Sequence, residues 1–189
     1  MNMELWNQDR YYPVMASIYI DRIKPGELSQ ADLVHHLSLI IPKHAILHTD
    51  EDTRPYECDG LSAYRSKPWV VALPETTEQV QAIMRICSAY QIPVIARGAG
   101  TGLSGGALPR DNCLLLSLAK FNKILNIDPD NATAHVQTGV RNLAITQAAN
   151  EYGLYYAPDP SSQIACSIGG NVAENSGGAC LPDSICFPI

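Results

Sequence analysis

Five of the eleven residues in "RGAGTGLSGGA", residues 97–107, are glycine, and the stretch follows a short apolar run, "IPVIA". Backbone N–H groups from successive glycines can converge on one anion, because no side chain blocks the approach and glycine tolerates the φ > 0 that turns amides inward. Gly102 is expected to take that conformation, where a Cβ would push into the guest. Thr101 and Ser104 add hydroxyl donors, and Arg97 brings a positive charge to the edge. The chemistry this spells is the binding of a phosphate or pyrophosphate. A flexible linker has similar composition, but linkers join domains and do not lie between a buried strand and another apolar run.

Gly100 to Gly105 also satisfies G-x-G-x-x-G literally. A nicotinamide-binding fingerprint needs a helix opening at that loop and an acid about 20 residues on. Here Pro109, Arg110, Asp111 and Asn112 make a turn, and "CLLLSL" starts a new strand at once. The dinucleotide fingerprint is therefore rejected on context. A second unusual stretch, "YYAPDPSSQIACSIGGNVAENSGG", begins rigidly at Pro158 and Pro160 and then turns small and amide-rich. Small residues and directed amides suit close packing on a flat ligand; an ordinary loop–helix junction with Ser and Asn caps has the same composition.

Other reactive-looking groups carry less. His35, His36, His44 and His48 look like a cluster, with His44 and His48 four apart, but Pro42 precedes that pair and "AILHT" reads as a strand, so no helical face for chelation forms; no metal is expected, and the four histidines are read as surface and edge residues. Asp50, Glu51 and Asp52 read as a solvated face. Six cysteines form no C-x-x-C pair and read as reduced, mostly buried thiols.

The elements that must position the glycine loop follow from periodicity. "WVVAL" is a short buried strand, and "TTEQVQAIMRICSAY" a helix with Thr76 and Gln79 as a reciprocal cap and Val80, Ile83, Met84 and Cys87 as its buried stripe. "IPVIA" is the next strand, which makes a βαβ crossover with the loop at the carboxyl end of its second strand, where parallel sheets bind ligands. Upstream, "SQADLVHHLSLII" is a helix capped by Ser29 and stopped by Pro42. Downstream, residues 124–128 and 132–138 flank the turn "DPDN" as a hairpin, and "RNLAITQAANEY" is a helix stopped by Gly153.

The 189 residues, 46% hydrophobic and 17% charged, suffice for a buried core without staples. A net charge of −6 with no Lys/Arg cluster excludes a nucleic-acid footprint. The N-terminus lacks a basic segment followed by an apolar one, and no apolar run approaches membrane-spanning length, so a cytoplasmic location without a membrane span is expected.

Taken together, "RGAGTGLSGGALP" and, some fifty residues on, "YYAPDPSSQIACSIGGNVAENSGG" resemble the FAD-binding (PCMH-type) domain of the vanillyl-alcohol oxidase and p-cresol methylhydroxylase flavoproteins. Within that family the similarity is to the FAD-linked 2-hydroxy-acid oxidases and dehydrogenases, the D subunit of glycolate oxidase and D-lactate dehydrogenases among them. It runs from about His48 to Gly178 and includes "VQTGVRNLAITQAA". The resemblance implies an α+β fold: a small βαβ subdomain, then a second α+β subdomain incomplete here, with FAD between them. It implies that Gly98, Gly100, Thr101, Gly102, Leu103, Ser104 and Gly105 wrap the pyrophosphate, with Arg97 and Gly106 at the ends. Asp159, Pro160, Ser161, Ser167, Gly169, Gly170, Asn171 and Asn175 then line the flavin and ribityl side. Some relatives bond flavin covalently through a histidine in the first loop; this loop has none, so noncovalent FAD is expected. The implied reaction is hydride transfer from the α-carbon of a 2-hydroxy acid, glycolate or D-lactate, to flavin N5, giving the 2-oxo acid. Other glycolate oxidase subunits are the implied partners.

The chain is accordingly read as an N-terminal helical and irregular extension over 1–66, a partial FAD-binding domain over 67–178, and an aberrant, loosely packed tail over 179–189. The tail, "ACLPDSICFPI", follows no family element, and a truncated or frameshifted product is the expectation. No catalytic residue is assigned, and the chain alone is expected to turn over no substrate. The alternative function is a non-catalytic flavin-binding or subunit-interaction module, or an inactive fragment.

Overall fold

Ser29 opens the first helix of the described residues by capping it in both directions: its hydroxyl accepts from the Asp32 amide, and the Asp32 carboxylate accepts from the Ser29 amide. The computed structural model describes residues 28–178, so the expectations for residues 1–27 and for the tail from Ala179, with Cys180 and Cys186, lie outside the described residues. Helix α1, Gln30–Ser38, buries Leu33 and Leu37. It ends four residues before Pro42, with a further turn carrying Ile41 into the core. Strand β1 is only Ile46–Leu47. Residues 50–56 form a single helical turn, α2 (Asp50–Thr53), capped by Thr49, and then a 3-10 turn.

Strands β2 (Val70–Ala72) and β4 (Leu114–Ser117) are buried along their whole length. Continuous apolar runs of this kind belong to central parallel strands covered on both faces. With β3 (Val94–Arg97) they form a four-stranded sheet in the order β1-β2-β4-β3, in which β1 alone runs antiparallel. The βαβ expectation of parallel strands therefore holds, with β4, the strand after the glycine loop, inserted between β2 and β3. Helix α3, Thr77–Ala89, links them and carries the predicted Thr76–Gln79 cap. Its buried face is Ile83, Ile86 and Cys87. Met84, expected in that stripe, is 44% exposed, because it lies roughly 100° round the helix from Ile83. Residues 28–47, read as part of an extension, contribute α1 and β1 to this same core. His36 is also in it, buried and stacked on Tyr90 at 5.6 Å between ring centroids, whereas sequence reading had placed it at the surface.

A second, smaller core follows. Strands β5 (Ile124–Asp128) and β6 (Thr133–Val136) form the expected antiparallel hairpin, with the Asp128 carboxylate accepting from the Asn131 amide at 3.1 Å in the turn. Helix α4, Asn142–Ala149, runs on through a 3-10 turn to Gly153, whose φ of 72° ends it. A short helix, α5 (Ile168–Ala173), packs beside it, and Val140, Ile145 and Ile168 make the centre. The mixed α+β architecture with two cores matches the expected fold class.

Candidate cofactor site

Strand β3 delivers Arg97 to the carboxyl edge of the sheet, and the chain then crosses to β4 without a helix, as the turn residues Pro109–Asn112 require. The backbone between is shaped by glycine at defined points. Gly100 and Gly105 take φ of +70° and +75°. Gly102 does not, so the reason for glycine there differs from the one expected. A Cβ on Gly102 would run into the carboxylate of Glu174, which also lies 3.2 Å from the Cβ position of Gly106.

That contact brings the two unusual stretches together. Gly98 lies against the side chain of Ser167, with the Ser167 Cβ 3.2 Å from where its own Cβ would be. Ser167 precedes α5 and pairs with Arg141 as an antiparallel bridge, which anchors the second stretch to the start of α4. Gly169 presses on Thr138, whose backbone O would be 2.9 Å from a Cβ. Gly178 packs on Asp159, so residues 159–178 close on themselves. Asn142, wholly buried at the start of α4, donates through Nδ2 to the Pro158 carbonyl at 2.9 Å and fixes where this stretch begins. Of the remaining expected residues, Pro160 is half-buried and Gly170 exposed in α5; Ser161, Leu103 and Ser104 are exposed, as is Asn175 with φ of 51°.

A third segment, unassigned from sequence, completes the arrangement. Gly60 sits under the glycine loop: a Cβ there would be 2.6 Å from the Thr101 carbonyl oxygen and 2.7 Å from that of Gly102. Arg97 Nη1 donates to the Cys58 carbonyl at 2.7 Å, and its guanidinium lies over the Tyr56 ring at 5.6 Å from the centroid. Asp59, 6% exposed, accepts from the Leu61 amide through Oδ1 at 2.9 Å. The signal available in sequence was the single glycine of "ECDGLS", too little to assign.

The site can be tested for fit to the expected cofactor. The Ser167 hydroxyl and the Asn171 amide nitrogen are both buried without a hydrogen-bond partner among the described residues. Leaving such a group unsatisfied is unfavourable by about 1–3 kcal/mol. Asn171 Nδ2 is a donor and calls for an acceptor; the hydroxyl serves either way. A ligand with carbonyl or phosphate oxygens supplies what both lack, beside the glycine-rich backbone of residues 98–106, so Ser167 and Asn171 fit FAD. Among the described residues no group of three or more His, Cys, Asp or Glu is placed to hold a metal, and no helix is long and apolar enough to cross a membrane. His44 and His48 stand exposed on either side of β1.

Comparison with known proteins shows the family. Over 171 residues the chain is 56% identical to glycolate oxidase subunit GlcD of Escherichia coli K12, covering 88% of this chain and 34% of that protein. It is 37% identical to D-lactate dehydrogenase of Anaerostipes hadrus over 148 residues, covering 78% and 31%. The chain thus spans about a third of the length of the curated relatives it matches. Among solved structures, p-cresol methylhydroxylase superposes with a TM-score of 0.65 at 25% identity, over 76% of this chain and 30% of that one. Alkyldihydroxyacetonephosphate synthase superposes with a TM-score of 0.71 at 20% identity, over 84% and 32%, which shows the shared fold. The family profile of the FAD binding domain matches residues 68–184, a span that holds the glycine loop and the Ser167–Asn171 turn it faces, and the chain belongs to that FAD-binding family.

Proposed function

We propose that this chain is the FAD-binding part of an oxidoreductase that converts a 2-hydroxy acid, glycolate or D-lactate, to the 2-oxo acid. The observation that carries the reading is the contact of residues 98–106 with Ser167 and Glu174, where the Ser167 hydroxyl and the nearby Asn171 amide nitrogen are buried without a hydrogen-bond partner among the described residues. In this reading Gly98, Gly100, Thr101, Gly102, Leu103, Ser104, Gly105 and Gly106 hold the pyrophosphate. Asp159, Pro160, Ser161, Ser167, Gly169, Gly170, Asn171 and Asn175 line the flavin and ribityl side. The chemistry that bound FAD supplies is acceptance at N5 of a hydride from the α-carbon of the hydroxy acid. Binding is noncovalent, since residues 97–107 offer no histidine for attachment. The substrate class comes from the relatives, a glycolate oxidase subunit and a D-lactate dehydrogenase. Other subunits of such an oxidase are the partners, and the cytoplasm is the compartment.

A second reading is a flavin-binding or subunit-interaction module without turnover of its own. It is favoured by the absence of histidine, the commonest general base, from residues 97–107 and 155–178, the stretches that form the cradle. Titrating FAD into the purified chain, followed by flavin fluorescence, tests the shared part of both readings; an absence of saturable binding refutes both. Release of the flavin on acid precipitation is expected, and flavin retained on the precipitate would contradict noncovalent binding. Anaerobic addition of glycolate or D-lactate then separates the two: bleaching supports the first, and a bound flavin that stays oxidised supports the second.

A further inference from the structure

We propose that Arg97 acts as a pin that fixes the shape of the glycine loop, and that its charge is not a phosphate contact. The proposal rests on reading the loop as the FAD cradle. Three observations carry it. Arg97 Nη1 is engaged by the Cys58 carbonyl at 2.7 Å. The guanidinium is 5.6 Å from the centroid of the Tyr56 ring. It also covers Gly100: a Cβ on that residue would be 2.5 Å from the Arg97 Cζ and 2.7 Å from Nε. One side chain therefore spans from the end of β3, across its own loop at the left-handed Gly100, to the Tyr56–Cys58 segment.

The same segment supports the loop a second time. Gly60, two residues beyond Cys58, lies against the Thr101 and Gly102 carbonyls. Residues 98–102 are thus held between the guanidinium and the backbone of residues 56–60. A loop whose amides must converge on a ligand binds more tightly when its shape is set in advance, since less ordering is left to binding. A planar guanidinium can donate to a carbonyl in its plane while lying over an aromatic ring and a bare Cα; an ammonium is a compact point charge and cannot do all three.

The test uses the 189-residue chain without cofactor, by hydrogen exchange read by mass spectrometry. Arg97→Met is expected to speed exchange in residues 98–108 by about tenfold, the sum of one hydrogen bond and one ring contact, while α3 amides keep their rate. Tyr56→Leu, which leaves the charge in place, is expected to loosen the same peptides, and the double variant to exchange little faster than Arg97→Met. Arg97→Lys should not restore protection. Unchanged loop exchange in Tyr56→Leu and in Arg97→Met overturns the pin. So does a loss of FAD affinity in Arg97→Met that vanishes at high salt while the loop stays protected, because that is a charge contact to phosphate. If Arg97→Met does not fold, Tyr56→Leu and Gly60→Ala decide: unchanged loop exchange in both overturns the proposal. Failure of the wild-type chain to bind FAD refutes the cradle reading instead and leaves the exchange result to stand by itself.

Discussion

The side chain of Ser167 occupies the space into which a methyl group on Gly98 would project, so the first residue after β3 and the residue before α5 exclude one another. Replacing Gly98 by Ala is expected to lower FAD affinity by about tenfold to a hundredfold, the range expected when a buried polar contact is lost or displaced. Ser167→Gly in the same chain removes the clashing atoms but also the hydroxyl assigned to the flavin side, so the packing shows as non-additivity: the double variant should lose less affinity than the two single losses combined. Fluorescence titration of the two single variants and the double variant reads this; single losses that simply multiply in the double variant would contradict the packing.

Gly100 and Gly105 both take positive φ, but their surroundings differ. A Cβ on Gly105 meets open space, whereas one on Gly100 meets the Arg97 guanidinium. Gly105→Ala is expected to carry only the left-handed backbone penalty, about 1–2 kcal/mol. At roughly 2–4 °C per kcal/mol for a chain of this size, the melting temperature falls by about 2–8 °C. Gly100→Ala should fall further. Equal melting temperatures for the two variants would refute the contact.

Cysteine labelling separates the thiols. Burial pushes the Cys87 thiol up to about 12, and raises Cys113 as well. Cys166 is buried too, while Cys58 is partly exposed. At pH 8 iodoacetamide should modify Cys58 in the folded chain and reach Cys87 and Cys113 only after denaturation. Peptide mapping assigns each site; modification of Cys87 as fast as Cys58 would show that α3 is not packed on the sheet as described.

Burial in the core lowers the pKa of His36, with His35 adding to the shift and Asp32 opposing it. The folded chain then holds fewer protons than the unfolded one just below the ordinary histidine value of about 6.5. Its stabilising contribution is complete above that pH and is lost as pH falls from about 6.5 through the depressed folded value. Urea midpoints measured from pH 7.5 down to 5 should decline, and His36→Phe should flatten that decline. An identical slope in the variant would show that another group is responsible.

Where residues interact with neighbours in sequence, the structure was readable in advance. Thr76 and Gln79 announced their cap, the "DPDN" turn its hairpin, and Gly153 its helix end, because each is a local matter of hydrogen bonds and φ. Two glycine-rich stretches were likewise recognisable, since bare backbone has few other uses between a strand and an apolar run. Contacts between distant segments left no periodic trace. Gly60 under Thr101, Glu174 against Gly102 and the buried Asn142 holding Pro158 each depend on where another part of the chain arrives. Gly102 shows the limit well: its backbone is not left-handed as expected, and what a Cβ there would meet is a neighbouring carboxylate. The order of the sheet was equally hidden, because β4 is as apolar as β2 and nothing in its composition says which strand it will join.

The Gly98–Ser167 contact lies between residues that belong with different cores, the sheet of β1–β4 on one side and the α4–α5 cluster on the other. A ligand gripped there ties occupancy to the cohesion of the two halves, and thermodynamic linkage makes the tie mutual. Saturation at a hundred times Kd would add about 2.7 kcal/mol to the resistance of the chain to unfolding. Conversely, a substitution at Ile168 or Val140, in the centre of the smaller core, would register as poor flavin retention. A screen for flavin-deficient variants of this protein would therefore collect packing defects in the smaller core alongside lesions in the glycine loop.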